Sequence, residues 1–183
     1  MSQATDQQTT AEPFVAYLED LRDTPYRART AMYALRRAVG RNLADARPAW
    51  PYVMPWLSRT PQAWRDDCHL TLAALFASHQ LSWTPGDDYE GSTNLGVSLA
   101  LLRRYGEAER IDRLMGTLLS ADRDMFRLHR LPTAIRLLAQ HRVPVDWSTL
   151  LRDMLYWWPE GTVARRWSRV YYALPGSQEK EIV

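Results

Sequence analysis

The segment DDCH, Asp66 to His69, sets two carboxylates, a thiol and an imidazole in four consecutive positions, the groups that bind metals or move protons. At 3.6 residues per helical turn, however, Asp66 and His69 face only roughly the same way, and Asp67 and Cys68 turn aside. The four residues therefore read as part of a helix and not as a ligand set. A second acidic group, Asp87, Asp88 and Glu90 in GDDYE, could hold a magnesium ion, but three acids in a polar loop are ordinarily just solvated. The histidines at 69, 79, 129 and 141 show no HExxH, no HxH and no cysteine at ligand spacing. No glycine-rich phosphate loop and no GxSxG turn is present. Cys68 is the single cysteine, which rules out an internal disulfide and a cysteine-based zinc site, in keeping with a reducing compartment. The sequence thus gives no catalytic residue, no metal site and no cofactor motif, and the chain reads as a non-enzyme.

What remains is arginine. The net charge is only +2, yet of the 23 basic residues all but Lys180 are arginine, whose planar fork suits phosphate better than an ammonium does. Between Leu21 and Arg65 nine arginines meet two acids, Asp23 and Asp45. From Arg123 to Arg142 five more meet only Asp124, while acids collect in Gly86 to Glu90. Such segregation predicts a surface with a basic face. Arg29, with Arg127 and Arg130 on either side of His129, belongs to it.

Helices must position these arginines, because the apolar residues recur at helical spacing and no convincing strand appears. Glu12 to Leu21 reads as a short amphipathic piece. Thr24-Pro25 supplies a cap and a proline at N1 for a helix that Gly40 ends, with Ala28, Ala31, Met32, Leu35 and Val39 on its apolar side. Prolines at 48, 51, 55 and 61 limit the next stretch to short turns, and a longer helix runs from Thr60-Pro61 to about His79. Beyond a polar break, NLGVSLALLRRYG, EAERIDRLMGTLLSA, DRDMFRLHRLPTAIRLLAQ, VDWSTLLRDMLYWW and TVARRWSRVYYAL are helical in pattern. Pro132 interrupts the register Leu128, Leu131, Ile135, Leu138, so either a kink or a junction of two helices is expected there.

The segment Val143 to Trp167 holds four of the eight tryptophans. Trp147, Leu150, Leu151, Met154, Leu155 and Trp158 fall on one helical stripe, which predicts a core; Trp157 and Tyr156 lie off it and keep an open role. The expected architecture is all-α, two small helical bundles packed together: residues 11–81, a linker at 82–93, residues 94–174, and flexible tails at 1–10 and 175–183. No apolar run approaches the roughly 18 residues that span a bilayer, and MSQATDQQTT is unlike a signal peptide, so a cytoplasmic protein without membrane attachment is expected.

Three segments in order, NLGVSLALL, then LLSADRDMFRLHRLPTAIRLL, then PVDWSTLLRDMLYWW with its Arg-Arg-Trp helix, resemble the small subunit of the type I-E CRISPR surveillance complex Cascade, the CasB family. ALRRAVGR, AWPYVMPWL and LTLAALFASHQ extend the likeness over about Phe14 to Tyr172. One departure is HRLPTAIRLL, where the family has a plain helix. The resemblance implies a non-catalytic, all-α subunit present as two copies, which helps hold the R-loop formed when guide RNA pairs with target DNA. The implied partners are guide RNA, target DNA (the non-target strand), the large and backbone subunits of Cascade, and a second copy of the chain. Carried onto this sequence, the likeness points to Arg36, Arg37, Arg65, Arg113, Arg123, Arg136, Arg165 and Arg166. Arginines without an enzyme motif suit binding to phosphate backbones without reading bases. Two other classes stay open: a helical DNA-binding regulator, which should present a recognition helix, and a metal-dependent nuclease built on Asp87, Asp88 and Glu90.

Overall fold

The computed structural model describes the backbone of residues 3–83, 92–105 and 108–174, with side chains from Ala11 onward within those ranges. Among them β-structure is limited to isolated bridge residues, with Ser82 paired in parallel to Val145, and no strand is present. The helices are α1 (Gln3–Asp23), α2 (Pro25–Arg36), α3 (Trp50–Val53), α4 (Ala63–Ser78), α5 (Leu95–Leu102), α6 (Ala108–Leu119), α7 (Arg123–Met125), α8 (Leu131–Gln140), α9 (Trp147–Leu155) and α10 (Thr162–Ala173). The all-α expectation therefore holds.

The chain gathers into two compact units, and their membership departs from the expected division. The first contains the chain up to Gln80 together with Trp147–Leu155; the second contains Leu81–Asp146 and the chain from Tyr156. Helix α9, assigned by sequence to the second bundle, thus belongs to the first. Its apolar stripe explains this: Trp147, Leu150, Leu151 and Met154 are buried, α9 packs on α1 and α4, and the Trp147 ring meets Phe76 edge-on at 5.7 Å. Residues 84–91, most of the expected linker, and residues 175–183 lie outside the described residues.

In the first unit α4 is the central element. It is buried on all sides from Cys68 to Ala77, the pattern of a helix enclosed by others. α1 presents Ala11, Phe14, Val15, Leu18 and Leu21 at spacings of three and four. Its backbone is helical from Gln3, well before the expected Glu12, and passes through Pro13. α2 begins with Pro25 at its first turn and packs on α1 and α4 through Ala31, Met32 and Leu35. The chain then leaves through Gly40 at φ 73, a left-handed position that glycine adopts without a Cβ clash.

In the second unit α5 crosses α10 so closely that a Cβ on Gly96 would sit 2.4 Å from the Trp167 carbonyl oxygen. Asn94 caps α5 by accepting from the Gly96 N–H, and Asp122 caps α7 by accepting from the Met125 N–H. Near Pro132 two helical segments meet at Leu131, one of the two expected outcomes. A π-helical turn, Phe126–Arg130, joins α7 to α8, and the Leu131 N–H bonds back to the Phe126 carbonyl. The wider turn stands just where proline lacks the donor that a regular helix needs.

Candidate nucleic-acid interface

On α2 the buried residues Ala31, Met32 and Leu35 fix the inner face, and the residues half a turn away face outward. Tyr26 (99% exposed), Tyr33 (61% exposed), Arg29 and Arg37 occupy that outer face. The Arg37 guanidinium lies 5.7 Å from the Tyr33 ring centroid and donates to the Tyr33 hydroxyl at 3.2 Å. Arg36 is exposed as well, but its Nε donates to the Ala77 carbonyl at 3.0 Å, tying α2 to the last turn of α4. Arg65 is half-buried, on the wall of a cleft of about 220 Å³ with Trp56, Asp66, His69 and Leu151.

In the second unit Arg113 on α6 and Arg136 on α8 are exposed opposite buried leucines and isoleucines. Arg165 and Arg166 are exposed on α10, whose inner face is Val163, Ala164, Trp167 and Tyr171. Arg123 is exposed and stands 5.1 Å over the Trp158 ring. Arg130 is half-buried. Arg127, expected on the basic face, is 1% exposed and has Asp124 at 3.9 Å. Spacing is the reason: Arg127 precedes the buried Leu131, Ala134, Ile135 and Leu138 by four, seven, eight and eleven residues, so it shares their face and joins Phe126 on the inner side, although its charge suggested the surface.

The tryptophans exchange roles. α9 stops at Leu155, and Trp158 is 60% exposed while Trp157 is fully buried. The stripe drawn through Trp158 was one turn too long, because Pro159 disfavours helical geometry in the residue before it and the chain turns at Glu160, φ 61. Freed from the helix, Trp157 packs against Phe126 and Trp167 in the second unit.

The groups that invited a metal reading have structural work. Asp66 accepts from the Gln62 N–H, Asp67 accepts from the Leu43 N–H at 2.6 Å, and Cys68 and His69 are buried. Among the described residues no three histidine, cysteine or acidic side chains gather as metal ligands. Asp87, Asp88 and Glu90 lie outside the described residues. In the second unit Asp112 accepts from the Tyr171 hydroxyl at 2.6 Å and has Arg103 at 3.2 Å. Burial first, and that hydrogen bond second, push the Tyr171 phenol far above its usual range, so it stays a neutral donor. No described helix is long and apolar enough to cross a membrane.

The exposed aromatics Tyr26, Tyr33 and Trp158 were not singled out as surface residues from sequence. For the two tyrosines a signal was present: counted round the helix, they stand opposite Ala28, Ala31 and Leu35.

Residues 31–172 match the family model of the CRISPR-associated protein Cse2. A Cse2 protein of Thermus thermophilus is 34% identical over 159 residues, 82% of this chain and 86% of the relative. A crystal structure of a Cse2-family protein from Thermus thermophilus superposes with a TM-score of 0.71 at 30% identity, covering 89% of this chain and 97% of the other. A chain of a CRISPR RNA-guided surveillance complex superposes with a TM-score of 0.76 at 25% identity, covering 92% and 94%. With most of its length matched by the family model and a relative above 30% identity, the chain belongs to the Cse2, or CasB, family of CRISPR-associated proteins.

Proposed function

We propose that this protein is a non-catalytic subunit of an RNA-guided surveillance complex that grips nucleic-acid backbone and stabilises the R-loop on double-stranded target DNA. The observation that carries the reading is the outward placement of arginines on helices whose inner faces are fully packed: Arg29 on α2 and Arg37 at its C-cap, Arg136 on α8, Arg165 and Arg166 on α10. Such residues can neutralise phosphates and carry no base readout. In RNA-guided recognition, base pairing reads the sequence, and contacts to backbone tip a nearly balanced strand exchange. The partners on this reading are the displaced non-target strand, guide RNA, the large and backbone subunits, and a second copy of the chain. The likeness to a chain of a surveillance complex supports the setting.

The test uses the assembled complex. Arg29→Glu with Arg37→Glu, and separately Arg165→Glu with Arg166→Glu, should assemble and load guide RNA normally, yet bind target duplex more weakly. For each single-strand phosphate that a variant no longer neutralises, the slope of log K against log salt should flatten by about 0.7. Arg36 is spared because it holds the end of α4. Gel shifts across a salt series decide the matter. If both double variants match wild type in affinity and slope, a scaffold role through protein contacts replaces strand binding. The same preparations should leave labelled DNA and RNA intact in magnesium, manganese or zinc.

A further inference from the structure

The outer face of α2 is unusual in its aromatic content. A tyrosine buries most of its ring in an ordinary globular setting, yet Tyr26 is 99% exposed and Tyr33 is 61% exposed, both directly opposite the packed side of the helix. They stand seven residues apart, two turns, so the rings follow one line along the helix at a separation of about 10 Å. Arg29 and Arg37 fall on the same outer face, and Arg27 beside it is also exposed. No acid occurs in PYRARTAMYALR. The carboxylate that precedes the helix, Asp23, is already held by both arms of Arg22, each at 2.7 Å. The stripe is therefore aromatic and uniformly positive, and at Tyr33 the two characters already meet, with the Arg37 guanidinium 5.7 Å from the ring centroid.

We infer that the Tyr26–Arg29–Tyr33–Arg37 face of α2 is a stacking platform for unpaired bases of a single strand, with the tyrosine rings taking base faces and the arginines taking the flanking phosphates. Aromatic rings set in a positive track are what sequence-tolerant single-strand binding requires, since every base has a π-face while only the backbone carries charge. A helix docking into an apolar groove would instead show aliphatic anchors at this spacing, and here the aliphatic residues all point into the unit. A duplex keeps its bases stacked on one another and offers nothing to these rings. The inference rests on the strand-binding reading above and adds to it: binding here depends on bases as well as on phosphates.

The experiment compares an oligothymidylate with an abasic oligonucleotide of equal length and charge, binding the full-length protein measured by fluorescence anisotropy across a salt series. Wild type should prefer the oligothymidylate by about five- to tenfold, the lower end of what base stacking contributes. Tyr26→Ala with Tyr33→Ala should bring the oligothymidylate down to the abasic level without altering the salt slope. Tyr26→Phe with Tyr33→Phe should keep the preference, which separates ring stacking from loss of structure. Equal binding of the two oligonucleotides by wild type, or a preference that survives the double alanine variant, overturns the platform and leaves phosphate binding standing. Absence of salt-sensitive binding to either oligonucleotide up to about 100 µM, the weak end of non-specific affinity, overturns both.

Discussion

The rings of Phe126 and Trp157 lie 8° from parallel with their centroids 3.8 Å apart, in the interior of the second unit. Trp167 completes the cluster, 5.2 Å from Trp157 and 6.1 Å from Phe126. Trp157→Ala should therefore cost about 3–5 kcal/mol, as for other buried aromatics. Trp158→Ala, at an exposed ring with only Arg123 over it, should cost less than about 1 kcal/mol. Urea unfolding of the two variants checks the order, and Trp158→Phe should remove iodide-quenchable fluorescence that Trp157→Phe leaves in place.

How much of this was legible in sequence depends on where helical periodicity continues. It continues through α2, α8 and α10, so their inner faces, and with them the outward Arg29, Arg37, Arg136, Arg165 and Arg166, could be read by counting. It fails after Leu155, where the Pro159 effect ends α9 and exchanges Trp158 for Trp157. At Arg127 the spacing to Leu131 and Ile135 already marks the inner face, and the charge of the side chain pointed the other way. The alliance of α9 with the first unit was hidden for a different reason: an amphipathic stripe shows that a helix packs, and says nothing of which helix it packs on.

Arg36 and Arg37 adjoin in sequence and differ in role. Arg36 supplies a donor to the carbonyl of Ala77, at a helix end whose last carbonyls lack helical partners. Arg36→Glu removes that donor and adds a negative charge near the negative end of the α4 dipole, so it should cost about 1–3 kcal/mol. Arg37→Glu should change stability by about 0.5 kcal/mol or less, since Arg37 touches only the exposed Tyr33. Thermal melts of the two single variants should separate them by several degrees.

Two glycines offer a matched pair. Gly96→Ala drives a methyl into the Trp167 backbone, with contacts of 2.4 Å to its carbonyl oxygen and 2.9 Å to its Cα, so α5 and α10 must separate. A loss of about 3 kcal/mol or more is expected, the upper range for overpacking. Gly116→Ala on α6 meets nothing within 4 Å and should gain up to about 1 kcal/mol from helix propensity alone. Denaturant midpoints moving the same way in both variants would contradict the close crossing of α5 and α10.

His69 should make the protein sensitive to mild acid. Its Nδ1–H donates to the Arg65 carbonyl at 2.7 Å, its Nε2 is buried without a hydrogen-bond partner, and the ring meets Phe14 edge-on at 5.3 Å. Burial is the main force lowering its pKa, and the Arg65 charge adds to it, against the opposing bond to the Arg65 carbonyl and the Asp66 carboxylate. Above a pH of about 6.5, the ordinary histidine value, the ring is neutral in both the folded and the unfolded chain, and stability does not depend on it. Below that pH the unfolded chain takes up a proton that the native protein refuses, so stability falls with a slope of up to about 1.4 kcal/mol per pH unit until the native ring also titrates. His69→Phe keeps the aromatic contact with Phe14 and removes the titration, at the loss of the bond to the Arg65 carbonyl. Urea midpoints at neutral and at mildly acidic pH should therefore differ more for wild type than for His69→Phe, every other titrating group being common to both. Equal differences in the two proteins would mean that the native ring accepts its proton as readily as the unfolded one, and that the cleft beside it is wetter than its packing indicates.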